Sequence, residues 1–370
     1  MELAEAQLLL ELTYSGILPM DELVDGGVVV VSDRSRHAIS AVVAPRSGGF
    51  LVKQGITAQP DSAASLAREA RFYRSMYQQN GEEMLQFLPA FHRFDEFRGL
   101  LVIEYVSDAE NLKVFYERTG SFPVELGRHL GLALATLHFK TNFGRLAEDE
   151  PFLSAAPWIL SLHKQIKNMP YGVSGANSQL SDILAGHGSL ARAFDELYET
   201  WPSTVLIHGD MKWENCLVSL RSSVEIEPIV KLIDWETASY GDRCWDVGSL
   251  FQSFMGAWVF AVSTTQDIHI GRSLPSEENQ LDILRPAIRA FWRGYIDTAQ
   301  LTGAQADEFL TRSMRYAAVR LVQTVYEHNV GSNAMIPALI STLQLALNIL
   351  ANPEGAIASL LKMSSEHAND

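Results

Sequence analysis

HGDMKWEN at residues 208–215 and IDWE at residues 233–236 are the two stretches that decide how this chain is interpreted. They place an aspartate at Asp210, an asparagine five residues later at Asn215, and a second aspartate at Asp234 after an apolar run. Apolar, strand-like residues flank both stretches. A histidine two residues before an aspartate carries little information by itself, whereas the combined pattern is specific. It predicts a site in which one amide and two carboxylates act together.

This set of groups suits phosphoryl transfer from a nucleotide. One carboxylate can orient a hydroxyl, while an amide and a second carboxylate hold magnesium. The protein does little covalent chemistry in such a reaction, so positioning and neutralisation of charge carry the catalysis. The pattern therefore predicts a transferase that uses a nucleotide and acts on a hydroxyl group.

The composition is that of an ordinary globular protein, since 47% of the 370 residues are hydrophobic and 20% are charged. The net charge of −15 disfavours nonspecific attraction to nucleic acid or to an anionic membrane, and it permits a cationic substrate without requiring one. The two cysteines, Cys216 and Cys244, are too few for a disulfide framework or a zinc site. The acidic N-terminus lacks the basic start of a signal peptide, and the apolar run at 254–262 is too short to span a bilayer. We expect a cytoplasmic protein with no nucleic-acid and no membrane partner.

Hydrophobic patterning predicts a β-rich portion followed by helices, with a short amphipathic helix within residues 1–23. Apolar or β-branched runs indicate strands at Val28–Val31, Ala38–Val43, Phe50–Lys53, Ala90–Phe94 and Leu100–Tyr105. Periodic segments indicate helices at Asp61–Tyr77, Val124–Phe139 and near 278–300, 305–328 and 333–350. The expected division is a β lobe with its leading helix at residues 1–105 and a helical lobe at residues 106–370.

On these residues the chain resembles the aminoglycoside phosphotransferase and choline kinase group, relatives of the eukaryotic-type protein kinases. The resemblance covers about residues 25–350, and its specific part is residues 205–246. It implies an α+β, bilobal protein-kinase-like fold with an N-terminal antiparallel β lobe and a larger, mainly helical C-terminal lobe. It also implies that ATP or GTP and Mg2+ are the cofactors.

The resemblance implies roles for the residues of the two stretches. Asp210 corresponds to the catalytic carboxylate that orients or accepts the proton of the substrate hydroxyl, and Asn215 and Asp234 correspond to the magnesium ligands. His208 is expected to brace the catalytic loop rather than to act as a base. Asp246 resembles a buried aspartate that anchors the backbone of that loop.

The β-rich portion is expected to bind the nucleotide. Lys53 ends the third strand and Glu69 lies on the following helix, and the two resemble the lysine–glutamate ion pair that holds the α- and β-phosphates. The alternative is an edge-strand lysine and a solvated helix glutamate, although a lysine on an apolar strand is unusual without a charged partner.

Two further segments are candidates for contacts to the nucleotide. The carbonyl of Glu104 and the amide of Val106 are expected to face the adenine edge. The connector at residues 32–37 contains no glycine, so the glycine-rich loop of protein kinases is absent. The Ser35 amide or the flanking arginines are the candidate phosphate contacts there, with solvated charges as the alternative.

Lys212 makes the identity of the acceptor an open question. Serine/threonine protein kinases commonly carry a lysine two residues after the catalytic aspartate, where it can stabilise moving negative charge, so Lys212 is a second catalytic candidate. The alternative is a loop lysine that faces solvent. Against a protein kinase, Asp234-Trp235-Glu236 replaces Asp-Phe-Gly and no Ala-Pro-Glu segment follows.

Three functions therefore stay open. The leading one is a kinase of a hydroxyl on a small metabolite or antibiotic, such as an aminosugar, an amino alcohol or a macrolide. The second is a kinase of Ser or Thr in a peptide, as in the modification of a lanthipeptide precursor. The third is a nucleotide-binding pseudokinase, which is disfavoured because five residues with expected catalytic, phosphate-binding or metal-binding roles are all present. They are Lys53, Glu69, Asp210, Asn215 and Asp234. The oligomeric state stays open as well.

Overall fold

The structure is a computed structural model that describes residues 3–34, 37–56, 60–78, 82–140, 152, 154–165, 174–219, 228–266 and 277–363. Its helices are α1 Glu5–Tyr14, α2 Met20–Asp25, α3 Pro60–Gln78, α4 Glu82–Leu85, α5 Leu112–Thr119, α6 Val124–Ala135, α7 Leu162–Gln165, α8 Gly175–Gly186, α9 Gly188–Glu199, α10 Arg243–Gln266, α11 Glu277–Ala299, α12 Ala304–His328, α13 Pro337–Ala351 and α14 Pro353–Ala356. Its strands are β1 Val29–Arg34, β2 Ala38–Ala44, β3 Gly48–Gln54, β4 Phe91–Asp95, β5 Leu100–Glu104, β6 Glu110–Asn111, β7 Val205–Ile207, β8 Cys216–Ser219, β9 Ile229–Leu232 and β10 Ser239–Gly241. Single 3-10 or π turns occur at Thr136–Lys140, Trp158–Ser161, Trp213–Asn215, Trp235–Thr237 and Ile357–Leu361.

The chain divides into two compact units. Unit 1 comprises Met1–Phe115, Lys140–Phe152 and Glu214–Ala238, and unit 2 comprises Tyr116–Phe139, Leu153–Trp213 and Ser239–Asp370. The expected lobe boundary at residue 105 stays a prediction.

Unit 1 contains the predicted antiparallel sheet. Its five strands lie in the order β1-β2-β3-β5-β4, and all neighbours are antiparallel. The turn between β2 and β3 closes at Gly48, whose φ of 82° lies in the left-handed region that glycine adopts without steric cost. β-branched and apolar residues in β1 to β3 favour this pleated arrangement.

One face of this sheet packs against α1. Leu8 and Leu12 of α1 join Phe50 and Val52 of β3 and Val102 of β5 in a single apolar cluster. Because alternate residues of a strand face opposite sides of the sheet, the residue after Val52 points away from this cluster. The periodicity of β3 therefore places the next side chain, that of Lys53, on the opposite face.

The N-terminal segment differs from the single helix expected within residues 1–23. The structure contains two helices there, α1 and α2, separated by a break. Gly16 at the break has a φ of 73°, and Pro19 directly precedes α2. A left-handed glycine ends the first helix, and proline cannot continue it because it has no N–H to donate.

A second, smaller sheet of unit 1 has the strand order β6-β8-β9. β8 and β9 are antiparallel neighbours, with Cys216 opposite Leu232 and Ser219 opposite Ile229. This pairing brings the end of the 208–215 stretch beside the start of the 233–236 stretch.

Unit 2 is mostly helical, and its helices α6 and α11 pack closely against each other. A Cβ atom added at Gly127 or Gly131 of α6 would overlap the backbone carbonyl of Ala287 or Phe291, and one added at Gly294 of α11 would overlap that of Arg128. The glycines thus let the two backbones touch. In the part of the chain that the structure describes, no helix combines the length and apolar character that crossing a membrane requires.

Candidate active site

Lys53 joins two carboxylates in unit 1. Its Nζ atom lies 2.9 and 2.8 Å from Oε1 and Oε2 of Glu69 and 3.0 Å from Oδ1 of Asp234. β3 directs Lys53 away from the apolar cluster, and α3 supplies Glu69, which is fully buried. The lysine–glutamate ion pair that the sequence favours is therefore present, and Asp234 is a second carboxylate partner of the same lysine.

The charge of this cluster follows from burial and proximity. Burial alone would lower the pKa of Lys53, but the negative charges of Glu69 and Asp234 outweigh it and hold the pKa of Lys53 above its ordinary value. Lys53 is thus an ammonium at neutral pH. Burial raises the pKa of the Glu69 carboxyl, and the positive charge of Lys53 opposes that rise.

The backbone of Asp234 holds its carboxylate in place. Asp234 has a φ of 68° and a ψ of 58°, a left-handed conformation that costs an L-residue about 1–2 kcal/mol. The following turn is fixed because Trp235 Nε1 donates to the carbonyl of Leu232 at 3.1 Å and its ring stacks on Phe72 of α3, with centroids 3.6 Å apart. Such strain persists only where the surroundings impose it, and it is frequent at functional sites.

Asn215 lies beside the Asp234 segment because β8 and β9 pair. Beyond the opposed residues Cys216 and Leu232, the Ile233 N–H donates to the carbonyl of Asn215 at 3.0 Å. The ladder thus ends one residue before Asp234. An amide and a carboxylate at neighbouring strand ends offer oxygen donors of the kind that magnesium prefers.

These residues fit a magnesium ion. The Asp234 side chain is 32% exposed, and Lys53 bonds to only one of its two oxygens. In the described ranges no group of three or more His, Cys, Asp or Glu side chains forms a metal cage. A site with two protein oxygens matches magnesium, which keeps waters and takes phosphate oxygens for the rest of its shell.

A buried histidine braces the segment that follows Asp234. His37 Nε2 lies 3.1 Å from Oε2 of Glu236, and its Nδ1 lies 2.9 Å from the hydroxyl of Ser62 on α3. Arg68, also on α3, donates from Nε to the carbonyl of Glu236 at 2.9 Å. The 233–236 stretch is thereby tied to α3 and to the start of β2.

Asp246, near the start of α10, holds the backbone at His208 and Gly209 in unit 2. Its Oδ2 accepts from the backbone N–H of His208 at 2.7 Å, and its Oδ1 accepts from that of Gly209 at 3.0 Å. Trp245 Nε1 donates to the carbonyl of Gly209 at 2.8 Å. Gly209 has a φ of 84°, which favours glycine there. These bonds fix the backbone directly before Asp210.

Asp246 is held in turn by His138. The imidazole Nε2 lies 3.1 Å from Oδ2 of Asp246, and Nδ1 lies 2.9 Å from the hydroxyl of Tyr295 on α11. Burial lowers the pKa of His138, and the opposing effect of Asp246 is smaller. A neutral ring fits both contacts, because Nε2–H can donate to the carboxylate while Nδ1 accepts from the tyrosine.

Asp210 lies between two cations. Lys212 Nζ donates to its Oδ2 at 2.6 Å, and Arg320 on α12 donates from Nη2 to its Oδ1 at 2.9 Å. Burial alone would raise the pKa of Asp210, but Arg320 and Lys212 outweigh it and hold the pKa below its ordinary value. The Asp210 backbone N–H also donates to Nδ1 of His208 at 3.3 Å.

The remaining predicted residues are placed as follows. The Glu104 side chain accepts from the Ala90 N–H at 2.9 Å, so it braces the connection into β4. The Val106 carbonyl accepts from the Ala109 N–H at 3.2 Å within a turn. Ser35 lies outside the described residues. The recognition of adenine by Glu104 and Val106 and of phosphate by Ser35 stays a prediction.

Two site neighbours, Arg320 and His37, are absent from the sequence predictions. Arg320 carried a usable signal, since it interrupts the apolar run 317–322, and a buried charge requires a partner. His37 carried none, because 199 residues separate it from Glu236.

With this geometry established, comparisons identify the family. The sequence model of the phosphotransferase enzyme family matches residues 39–275, which is more than half of the chain. The chain belongs to the phosphotransferase enzyme family. A comparison with curated proteins finds no match.

Solved structures of kinases share the fold. Choline kinase LicA from Streptococcus pneumoniae superposes with a TM-score of 0.50 at 16% identity, over 94% of this chain and 99% of that one. Amicoumacin kinase hAmiN, in complex with AMP-PNP, Ca2+ and Ami, superposes with a TM-score of 0.53 at 11% identity, over 95% of this chain and 94% of that one. An aminoglycoside 2′-phosphotransferase in complex with GDP superposes with a TM-score of 0.51 at 13% identity, over 96% of this chain and 99% of that one. The predicted α+β protein-kinase-like fold is thus confirmed.

Proposed function

We propose that this protein is a kinase that uses magnesium and ATP or GTP to phosphorylate an alcohol hydroxyl of a small molecule. The observation that carries the proposal is the bonding of one buried lysine to both a helix glutamate and the aspartate of the second motif. Structural ion pairs need only two partners. Here a strained backbone holds Asp234 beside Lys53, the same lysine that binds Glu69. Strain of this kind is frequent at functional sites, and the arrangement suits the binding of phosphate and metal.

The nucleotide side of the proposal assigns seven residues. Lys53 neutralises the α- and β-phosphates, and Glu69 keeps its ammonium in position. Asn215 and Asp234 hold magnesium, which when bound neutralises the phosphate oxygens. The backbone of Glu104 and Val106 faces the base, and the Ser35 amide contacts phosphate.

The acceptor side of the proposal assigns Asp210 and Lys212. The low pKa of Asp210 makes it a weak base in the resting protein, so its first task is to accept a hydrogen bond from the acceptor hydroxyl and orient the oxygen. As the hydroxyl attacks, its acidity rises and the proton can move to Asp210. Lys212 supplies a positive charge where negative charge moves.

Family membership favours a small-molecule acceptor. Structural neighbours are named as kinases of choline, amicoumacin and aminoglycosides. A peptide hydroxyl is the second candidate, and the specific observation in its favour is the 2.6 Å bond from Lys212 to Asp210, which parallels the lysine of peptide kinases. We place the protein in the cytoplasm, because both cysteines are buried free thiols of the kind that a reducing compartment preserves.

The experiment that tests the proposal is an acceptor screen read by mass spectrometry. Purified protein with magnesium and ATP or GTP is given panels of amino alcohols, aminosugars, other hydroxylated metabolites and Ser/Thr peptides. Asp210→Ala is the control, and it should abolish phosphate transfer while leaving nucleotide affinity nearly intact. Nucleotide binding without phosphorylation in any panel would favour the pseudokinase, and unimpaired transfer by Asp210→Ala would remove Asp210 from its role.

A further inference from the structure

Arg320 is an unusual residue in the middle of α12. Its neighbours in the run 317–322 are buried alanine, valine and leucine side chains, and the Arg320 side chain itself is only 9% exposed. A buried guanidinium is strongly unfavourable without a counter-charge. Its position therefore depends on the groups that surround it.

The guanidinium is fixed from three sides. Nη2 donates to Oδ1 of Asp210 at 2.9 Å, Nη1 donates to Oε1 of Gln323 at 2.8 Å, and the guanidinium carbon lies 5.4 Å from the centre of the Trp245 ring. Gln323 is fixed as well, because its Nε2 donates to Oε1 of Glu327 at 2.8 Å. Residues 320, 323 and 327 share one face of the helix, since 3.6 residues complete a turn.

This arrangement restricts the Asp210 carboxylate. Arg320 takes one oxygen and Lys212 takes the other, so rotation of the carboxylate would break a charge-assisted hydrogen bond on each side. The two cations are not equivalent. The Lys212 ammonium sits on a flexible chain and is 37% exposed, whereas the Arg320 guanidinium is planar, buried and held by Gln323 and Trp245.

We propose that Arg320 is a positioning residue that fixes the orientation of the Asp210 carboxylate for the acceptor hydroxyl, an inference that rests on the proposed function. With Oδ1 committed to the rigid guanidinium, Oδ2 is the oxygen that Lys212 and the acceptor hydroxyl share. A carboxylate oxygen can accept more than one hydrogen bond, so Lys212 does not block the hydroxyl. Arg320 acts through Asp210 and touches no reacting atom.

The test compares the wild-type protein with Arg320→Gln and Arg320→Lys. Arg315→Gln is the matched control, because Arg315 lies on the same helix and pairs with Glu196 at 3.0 and 2.7 Å, away from Asp210. The readouts are kcat, the nucleotide KM, the pH profile of kcat/KM, the thermal midpoint and the pKa of Asp210 from carbon-13 NMR of its carboxyl.

Arg320→Gln should lower kcat by about 100-fold, the order expected when a catalytic group is misplaced by about 1 Å, and it should leave the nucleotide KM unchanged. It should also raise the Asp210 pKa, so the acid limb of the pH profile moves to higher pH. Arg320→Lys keeps the positive charge but loses the planar guanidinium. Its acid limb should therefore lie at the wild-type pH, while its kcat should stay below that of the wild type. Arg315→Gln should match the wild type.

An active wild-type protein whose Arg320→Gln variant keeps its kcat and its acid limb would overturn the positioning role alone. A loss of kcat with an unmoved acid limb and a lower thermal midpoint would also overturn it, since that result indicates a merely structural arginine. A wild-type protein that phosphorylates no acceptor, while NMR still detects the effect of Arg320 on Asp210, would overturn the proposed function and the positioning role together.

Discussion

The Nζ atom of Lys53 lies 3.0 Å from Oδ1 of Asp234, although 181 residues separate the two along the chain. The same ammonium is bonded to both oxygens of Glu69. One cation therefore serves two carboxylates that come from a helix and from the turn after β9. The stability of unit 1 depends on this shared ammonium, and under the proposed function so do the affinities for metal and nucleotide.

Lys53→Met should destabilise the protein by about 3–5 kcal/mol, because it leaves Glu69 buried without its counter-charge. The double variant Lys53→Met/Glu69→Met should recover much of that loss. Lys113→Met is the control, since its ion pair with Glu214 is 51% and 45% exposed and should contribute about 0–1 kcal/mol. Urea unfolding measures all three. Equal effects of Lys53→Met and Lys113→Met would contradict the prediction.

Asp234→Asn should weaken magnesium-dependent nucleotide binding by on the order of tenfold, equivalent to about 1.4 kcal/mol, because it removes a charged oxygen ligand. Asparagine tolerates a positive φ, so the fold should persist. Calorimetry of nucleotide binding, with magnesium and with a chelator, separates the magnesium-dependent affinity from the affinity without metal. The difference between them should shrink in the variant, and an unchanged difference would exclude Asp234 as a metal ligand.

Lys212→Ala should reduce kcat by on the order of 100-fold with little change in nucleotide affinity, because the charge is needed mainly in the transition state. Lys164→Ala is a matched control, since Lys164 pairs with Asp195 at 2.5 Å, remote from the 208–215 stretch in sequence. Steady-state kinetics with the acceptor found by the screen would measure the effect. A wild-type rate for Lys212→Ala would mean that the charge of Lys212 takes no part in phosphate transfer.

Gly131→Ala should destabilise the protein by about 1–3 kcal/mol or more, because the added methyl group would overlap the Phe291 carbonyl and lie 2.7 Å from the Tyr295 nitrogen. Gly186→Ala is the control: nothing lies within 4 Å of its new Cβ and alanine favours a helix, so the change should be neutral or slightly stabilising. Chemical unfolding of both variants measures the contrast. Similar stabilities would mean that α6 and α11 can move apart freely.

Acidification should destabilise the protein through His138. Its folded-state pKa is lowered by burial, so the unfolded chain binds the extra proton first as the pH falls below about 6.5. Stability from this group is present above pH 6.5 and falls by about 1.4 kcal/mol per pH unit below it, until the lower folded-state pKa is reached. His138→Gln should flatten this part of the curve. Unfolding free energies of both proteins between pH 5 and 8 test it, and parallel curves would contradict it.

The sequence predicts the strands and most helices well because their patterns are local. The predicted strand Phe50–Lys53 lies within β3, and the predicted helix Asp61–Tyr77 differs from α3 by one residue at each end. The helix predicted near 333–350 is α13, which begins at Pro337 because proline suits the first turn of a helix. The family resemblance in turn indicates Lys53 and Glu69 as a pair.

The remainder of the site depends on contacts that no local pattern records. Which arginine of α12 reaches Asp210 is decided by how the helix is rotated against the rest of unit 2. The bond between His37 and Glu236 depends on sheet and helix packing over the whole of unit 1. Asp210, Asn215 and Asp234 are recognisable from sequence, whereas their supporting residues are found only in three dimensions.

The glycine contact between α6 and α11 has a consequence for the selection of variants with higher thermal stability. α6 leads directly into the turn that carries His138, and α11 carries Tyr295, so the contact sets the spacing of the pair that supports Asp246. Asp246 in turn fixes the backbone before Asp210. Under the proposed function, thermal stability and turnover therefore both depend on this contact. Variants selected at this contact for survival at high temperature should keep their rate, whereas those that loosen it should lose both properties together.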